Sequence, residues 1–286
     1  MSGVNEDRMK GQRLCRLMEV SYSGYKKFVR RERKDLIKKN ELKREIKKIF
    51  KESNNTYGSP RIYAALKHRG FQVSKATVER LMREMGLKSQ TRRKYRVSTT
   101  NSKHRYKTVS NKLNRNFKAT RLNEKWTADI TYLPTREGWC YLAVVEDLYS
   151  RRIIGWCFSD SLSYEIVLKA LQMAIMTRGS VWGTLFHSDR GVQYACDCFK
   201  NFLKRNKIDQ SMSRTRNPWD NAPMESFFHT FKVEFVYHQN FETIEEARIK
   251  CFEWIESYYN RYRLHSSLGY RTPVDVEEEF MLKKVA

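Results

Sequence analysis

WTADITYLPTREGWCYLAVVEDLYSRRIIGWCF, residues 126–158, is the stretch of sequence that decides the fold of this chain. Polar and apolar side chains alternate from Trp126 to Leu133, a pattern that predicts a half-buried strand. A turn is predicted at residues 136–138, and the mainly apolar segments Trp139–Glu146 and Arg152–Phe158 predict two further strands. Three consecutive strands joined by short turns predict an antiparallel meander.

The sequence after the meander alternates between helical and strand patterns. A helix is predicted at Tyr164–Met176, a strand ending at residues 186–189, a helix at Phe199–Leu203, a strand at Ile208–Met212, and helices at about 222–237 and 244–262. This order predicts an α/β fold with a mixed sheet, because strands come first, helices and strands then alternate, and helices end the chain.

The region upstream of the sheet predicts helices only. Residues 8–86 predict short helices and a longer one at about 41–50, followed by a helix around Ile62 and a second helix that Ser74 caps and Gly86 ends. Helix, short turn and capped helix are typical of a helix-turn-helix. The solvent face of its second helix would carry side chains suited to a DNA major groove, namely Lys75, Thr77, Arg80 and Arg83. A three-helix bundle with a basic surface would show the same pattern.

Basic residues are concentrated in the first part of the chain. The formal net charge is +24; residues 1–120 carry 34 Lys or Arg and 10 Asp or Glu, whereas residues 121–286 carry 22 of each. We interpret the basic residues 87–120 as a linker that becomes ordered on DNA, with contacts expected from Arg92, Arg93 and Lys94. A solvated arm would carry the same charge, but such an excess beside an electroneutral region favours nucleic acid as the partner.

Several other classes of protein are disfavoured. The longest apolar run, Trp139–Val145, is far too short to cross a bilayer, and the N-terminal residues have no apolar core typical of a signal peptide. The six cysteines show no paired CxxC spacing. We therefore expect a cytoplasmic protein with reduced thiols and no membrane partner.

Three carboxylates stand out by their context. Asp129 lies in the middle of the first strand, Asp189 ends a later strand, and Glu225 lies in the first turn of a helix for which Asp220 or Asn221 is the expected cap. Taken singly, each has an ordinary structural explanation, such as a strand edge or a favourable interaction with the helix dipole. Taken together, they predict an oxygen cluster suited to Mg²⁺ or Mn²⁺, and a pair of such ions can drive phosphodiester chemistry.

Two other polar residues lie near the predicted cluster in sequence. Lys232 follows Glu225 by seven residues, which returns it to nearly the same side of the helix. His187 shares a strand face with Asp189, although a hydrogen-bonded structural histidine would show the same spacing. Lys232 by itself would be interpreted as a solvated side chain.

Five segments extend the sequence evidence beyond these residues. In chain order they are WTADITYL, GWCYLAVVEDLYSRRIIGW, HSDRGVQY, DNAPMESFFHTFKVE and YNRYRLHSSLGYRTP. Between Asp189 and Glu225 there are 35 residues. In order and spacing the five segments closely resemble the OrfB-type transposases of the insertion-sequence family numbered three, relatives of retroviral integrases. Residues 57–87 resemble the helix-turn-helix of that family.

The resemblance implies an RNase H-like fold in which Asp129, Asp189 and Glu225 bind two Mg²⁺ or Mn²⁺ ions. It also implies that Lys232 contacts DNA near the scissile phosphate, and we expect further DNA contacts from Arg214 and Arg216. The expected domains are a helical DNA-binding region at residues 1–86, a basic linker at 87–120 and a catalytic core at 121–286. In this family the active transposase is generally a fusion with an upstream segment, so the OrfA product and a homo-oligomer on DNA are the expected protein partners.

The expected function is therefore metal-dependent cleavage of the ends of an insertion element and transfer of those ends to target DNA. An RNase H-like nuclease that hydrolyses DNA without strand transfer would use the same carboxylates. A regulator that binds DNA without catalysis is a second alternative.

Overall fold

The computed structural model describes residues 11–90, 106–215 and 217–285, apart from the side chains of Lys34 and Val285. Arg92, Arg93, Lys94 and Arg216 lie outside these described residues. The chain divides into two compact units, with the boundary after Ser89. Each unit has its own buried side chains.

The first unit is entirely helical in its described part. A helical segment at residues 11–17 precedes α1 (Tyr22–Glu52), α2 (Ser59–His68) and α3 (Lys75–Glu84). The prediction of separate short helices before residue 41 is wrong for α1, which runs unbroken for 31 residues. Its Ser21 cap accepts a hydrogen bond from the Gly24 N–H at 3.0 Å, and no helix-breaking residue follows Gly24 within α1.

The predicted helix-turn-helix has the expected caps. Pro60 lies in the first turn of α2, and the Ser74 hydroxyl accepts a hydrogen bond from the Thr77 N–H at 3.2 Å at the start of α3. Gly86 follows α3 with a positive φ of 66°, a conformation that glycine adopts easily. The core of this unit consists of fully buried aliphatic side chains from all three helices: Ile46, Ile49, Ile62, Leu66, Val78 and Leu81.

The second unit is built on a mixed sheet of five strands in the order β3-β2-β1-β4-β5. The strands are β1 (Lys125–Thr135), β2 (Gly138–Asp147), β3 (Ile153–Ser159), β4 (Leu185–Ser188) and β5 (Asp209–Met212). The first three strands are antiparallel, as their short turns predict, whereas β4 pairs in parallel with both β1 and β5.

Helices cover both faces of this sheet. They are α4 (Tyr164–Arg178), α5 (Val192–Ala195), α6 (Asp197–Arg205), α7 (Ala222–Glu234), α8 (Ile244–Glu253) and α9 (Pro273–Val285). Alternation along β2 supplies both cores: Ala143 and Val145 pack with α4 and α6, while Leu142 and Val144 pack with α7 and α8. The mixed α/β architecture predicted from the sequence is thus confirmed, in agreement with the RNase H-like fold that the resemblance implies.

The end of the chain differs from the prediction in two places. The helix predicted at about 244–262 is α-helical only to Glu253, because Trp254–Tyr259 form a π-helical turn. The second difference is α9, which sequence periodicity did not reveal. It is held by the buried Glu277 carboxylate, which accepts hydrogen bonds from the Ser150 hydroxyl at 2.7 Å, from Arg152 at 2.6 Å and from Arg178.

No helix in the described part of the chain has the length and apolar character needed to span a membrane.

Candidate active site

The pairing of β1 with β4 brings two of the predicted carboxylates together. Thr127 is the register partner of His187 in this parallel pair. Continuing the same register by two residues sets Asp129 beside Asp189, which follows the last residue of β4. Carboxyl ends of parallel strands are where functional groups collect in open α/β sheets, and both side chains line one cleft of about 370 Å³.

Backbone amides orient both carboxylates. Oδ1 of Asp129 accepts a hydrogen bond from the Ile130 N–H at 2.8 Å, and Oδ1 of Asp189 accepts one from the Gly191 N–H at 2.9 Å. A Cβ at position 191 would lie 3.0 Å from that same Asp189 oxygen and 3.0 Å from Oε1 of Gln193. A larger residue at position 191 would therefore require the Asp189 and Gln193 side chains to shift.

The electrostatics of the cleft centre on Asp129. This residue keeps some exposed surface, but its carboxylate is closely enclosed, and burial raises its pKa well above the usual range. The negative charge of Asp189 raises that pKa further, the charge of Glu225 adds a smaller increase, and the positive charge of Lys232 opposes it. These four side chains therefore form one electrostatic group, in which a cation would favour the ionised form of Asp129.

Glu225 is brought to this group by the first turn of α7, where its side chain is exposed. The opposite face of α7 is fixed in the core by Phe227 and Phe231, which stack with their ring centroids 6.1 Å apart. At the helix start, Nδ2 of Asn221 donates a hydrogen bond to the Ala128 carbonyl at 3.2 Å. The beginning of α7 is thus tied to the strand residue adjacent to Asp129.

Of the two residues predicted to cap α7, Asn221 is at the N-cap and Asp220 is not. Asn221 occupies the N-cap position but its side chain makes no capping hydrogen bond. Asp220 is fully buried and its carboxylate points to Arg214 instead, accepting from the backbone N–H at 2.9 Å, from Nε at 2.8 Å and from Nη2 at 2.7 Å. These bonds from Arg214 are the main reason why the pKa of Asp220 lies well below its usual range.

Asp220 also fixes part of the segment that the charge pattern assigns to the linker. Its carboxylate accepts hydrogen bonds from Asn111 at 3.0 Å and from Nε of Arg115 at 2.9 Å. Nearby, the backbone N–H groups of Lys112 and Leu113 donate to the Ser211 hydroxyl at 2.9 and 3.1 Å. The described end of the basic segment therefore packs on the sheet unit next to α7.

Lys232 lies two turns after Glu225 on α7, and its side chain is half-buried. Its ammonium stands over the ring of Tyr132, 4.8 Å from the centroid. Burial lowers the pKa of Lys232, and the charge of Asp129 acts in the opposite direction. The ammonium is therefore on the same side of the sheet unit as the carboxylates.

His187 has a structural role in β4. It is fully buried, and its ring nitrogens lie 2.9 Å from the Ser211 hydroxyl and 3.1 Å from the Ser213 hydroxyl. Burial lowers its pKa to about 4, so the ring is neutral at physiological pH. The ring joins β4 to β5 and to the residue following β5, which supports the structural alternative noted from the sequence.

Two residues of the cleft were not identified from the sequence. Tyr194 and Trp139 both line it together with Asp129 and Asp189. The buried hydroxyl of Tyr194 has no hydrogen-bond partner among the described residues, and its pKa is raised well above the usual value, mainly by burial and then by the two aspartates. A tyrosine or tryptophan carries no sequence signal that separates a cleft position from a core position.

Within residues 11–90, 106–215 and 217–285, no set of three His, Cys, Asp or Glu side chains is already arranged to hold a metal ion. The close pair is Asp129 and Asp189, while Glu225 reaches into solvent from α7. Oxygen donors of this kind are the ligands that hard cations prefer.

The predicted DNA-facing side chains of α3 lie on its outer surface. Lys75, Arg80 and Arg83 are exposed, and Thr77 is half-buried beside the Ser74 hydroxyl. Arg80 pairs with Glu84 at 3.1 Å across one turn of the helix. In the sheet unit, half of the Arg214 side-chain surface is exposed although its guanidinium is bound to Asp220.

Comparisons with known proteins agree with both units. The integrase core domain matches residues 119–218, a second integrase core domain model matches residues 206–273, and an HTH-like domain matches residues 38–95. Among solved structures, the catalytic core domain of BIV integrase is 20% identical and covers 57% of this chain and 99% of its own, with a TM-score of 0.42.

Curated relatives match almost from end to end. The 31 kDa protein of insertion element IS600 from Shigella sonnei is 38% identical over 93% of this chain and 98% of the relative. The transposase for insertion sequence element IS904 from Lactococcus lactis is 38% identical over 87% of this chain and 98% of the relative. The transposase InsF for insertion sequence IS3fB from Escherichia coli is 36% identical over 93% of each. The chain therefore belongs to the IS3-family transposases, DNA-binding polynucleotidyl transferases with an integrase core and an HTH-like domain.

Proposed function

We propose that Asp129, Asp189 and Glu225 are the catalytic carboxylates of this transposase and that together they hold two divalent cations, Mg²⁺ or Mn²⁺. The observation that carries the proposal is the parallel pairing of β1 with β4, which directs Asp129 and Asp189 into one cleft. Mutual repulsion between their charges is favourable for a site that binds cations.

The residues fit such ions by their chemistry. The donors are all oxygens, as hard cations require. The Tyr194 hydroxyl, buried beside both aspartates, offers a further polar atom that has no partner in the described chain. Glu225 is exposed on the first turn of α7, and its charge already acts on Asp129, so its carboxylate is available as a third oxygen donor.

When bound, the two ions supply Lewis-acid activation of the attacking oxygen and stabilisation of the leaving oxygen of a phosphodiester. The contribution of the chain is to position the DNA. Lys232, half-buried over Tyr132, directs a positive charge towards the cleft and is suited to hold a phosphate beside the carboxylates. Asn221 and Asp220 fix the start of α7 and thereby the place from which Glu225 acts.

The remaining parts of the chain are assigned by charge. We infer that the chain binds the terminal repeats of the element and target DNA. Residues 1–86 contribute Lys75, Thr77, Arg80 and Arg83, and the basic segment 87–120 adds contacts from Arg92, Arg93 and Lys94. Arg214 and Arg216 border the loop before α7 and are proposed to contact DNA there. A homo-oligomer on DNA and the upstream OrfA product are the proposed protein partners, and the DNA substrate supports the predicted cytoplasmic location.

The test is a strand-joining reaction. The purified chain, with and without the fused upstream segment, is incubated with labelled element ends, target DNA and Mg²⁺. We expect cleaved ends that become covalently joined to target DNA. Hydrolysed ends without joined products would instead identify a nuclease, and DNA binding without any cleavage would identify a regulator.

A further inference from the structure

Trp139 is an exposed aromatic side chain at the edge of the catalytic cleft. It is the second residue of β2, and 55% of its surface is exposed although the residues that follow it in the strand are largely buried. The same side chain lines the cleft that contains Asp129 and Asp189. Large exposed aromatic surface at a cleft is typical of a binding position, because leaving it in water is unfavourable.

Neighbouring side chains hold Trp139 in place. Its ring packs edge-to-face against Tyr132 of β1, with centroids 5.1 Å apart and ring planes at 69°. Tyr132 is itself half-buried, and the Lys232 ammonium stands over its ring at 4.8 Å. We call Tyr132 and Trp139 the aromatic platform. The platform is fixed on two paired strands, so a ligand that stacks on it meets a surface that is already ordered.

The strand register gives the distance along β1 from Trp139 to Asp129. Trp139 pairs with Pro134, five residues along β1 from Asp129. At the usual rise of a strand, five residues span about 17 Å, which corresponds to about five base steps of duplex DNA. A DNA strand whose scissile phosphate lies at Asp129 and Asp189 can therefore reach Trp139 about five nucleotides away.

We propose that Trp139 is a stacking subsite for an unpaired DNA base located a few nucleotides from the scissile phosphate. Aromatic side chains bind bases by stacking irrespective of their sequence. A base within an intact duplex is already stacked on both sides, so the platform selects one that has left its pair. Lys232 places a positive charge beside the platform, where the backbone of such a nucleotide would pass.

The inference rests on the proposed position of the scissile phosphate, and the unpaired base can come from the element end or from the target. The experiment therefore scans single abasic substitutions through both DNAs, using the full chain. Metal-free binding and Mg²⁺-dependent strand joining are both measured for the wild type, Trp139→Ala and Trp139→Phe. Trp182→Ala is the control, because Trp182 is 73% exposed and has the Lys207 ammonium over its ring but does not line the cleft.

We expect one abasic position, within about seven nucleotides of the cleavage site, to weaken wild-type binding by about 5- to 100-fold. That loss of affinity should disappear in Trp139→Ala and persist in Trp139→Phe and Trp182→Ala. The DNA that carries the sensitive abasic position, element end or target, identifies the source of the stacked base. Equal abasic penalties in the wild type and Trp139→Ala would overturn the subsite, even if strand joining occurs. If the abasic penalty on binding depends on Trp139 but no strand joining occurs, the result would support the subsite and contradict the proposed catalysis. A Trp139→Ala defect that is independent of every abasic position would assign the side chain to protein contacts and would also overturn the proposal.

Discussion

Replacement of Asp220 by asparagine should weaken the folded sheet unit around the start of α7. The carboxylate is fully buried and receives five hydrogen bonds of 2.7–3.0 Å from Arg214, Arg115 and Asn111. The asparagine side chain would keep one acceptor oxygen and turn an N–H group towards the guanidinium groups. Removing one partner of a buried ion pair costs about 3–5 kcal/mol. Because about half of each arginine side chain is exposed and can be rehydrated, we expect a loss of about 2–3 kcal/mol.

The assay is urea unfolding followed by tryptophan fluorescence. All six tryptophans lie after residue 120, so the signal reports the sheet unit alone. Asp209→Asn is the matched control, because Asp209 also pairs with the basic segment, through Lys112 at 3.3 Å, but is 69% exposed. Its expected loss is below about 1 kcal/mol.

The dependence on pH follows from the depressed pKa of Asp220. A carboxyl whose folded pKa lies below its unfolded value, about 3.9, stabilises the fold above about pH 4 and loses that contribution as the pH falls. The difference in the free energy of unfolding between wild type and Asp220→Asn should therefore shrink below pH 4. A variant as stable as Asp209→Asn, or a difference that does not change with pH, would refute this account of the loop before α7.

Three further predictions follow from contacts of α7 and α3. Glu234→Gln should lower the free energy of unfolding by about 3 kcal/mol, because Glu234 and Arg263 form a buried bidentate pair at 2.7 and 2.8 Å. Glu245 is exposed, so the control Glu245→Gln should lose under about 1 kcal/mol in the same urea titration. Equal losses in the two variants would contradict the reasoning. Lys232→Arg should keep substantial strand joining, whereas Lys232→Ala should lose much of it and cut labelled ends at wrong positions. An unchanged cleavage rate and position in Lys232→Ala would show that this lysine does not position the DNA. Arg80→Ala should weaken DNA binding and reduce the slope of log affinity against log salt by about 1, and an unaltered slope would exclude a phosphate contact.

The sequence was sufficient for the features that depend on local pattern. Alternation along β1 and the short turn before β2 predicted the antiparallel meander, and the position of Asp189 at the end of a strand predicted that it would share an edge of the sheet with Asp129. Long-range contacts were not predictable in this way. The α9 helix is held by Glu277 through hydrogen bonds to residues more than 90 positions away, and such partners leave no periodic signal.

The roles of particular side chains were the least predictable part of the site. Asp220 has the residue type of a helix cap, but Asn221 is at the N-cap of α7, and the Asp220 carboxylate is bound by two arginine side chains and the Arg214 backbone N–H. Trp139 and Tyr194 look like core residues in the sequence. Only the structure shows that Trp139 is exposed at the cleft and that Tyr194 places its hydroxyl beside the two aspartates.

The most direct test of the central claim is a paired measurement of strand joining and DNA binding in Asp129→Asn, Asp189→Asn and Glu225→Gln. Each change removes the charge of one proposed metal ligand while keeping the shape of the side chain. We predict that each variant loses cleavage and strand joining in Mg²⁺ while its affinity for element ends stays close to that of the wild type, since affinity depends on basic residues elsewhere. Near-normal joining in any one variant would contradict the assignment of that residue, and loss of DNA binding in all three would contradict the separation of binding from catalysis.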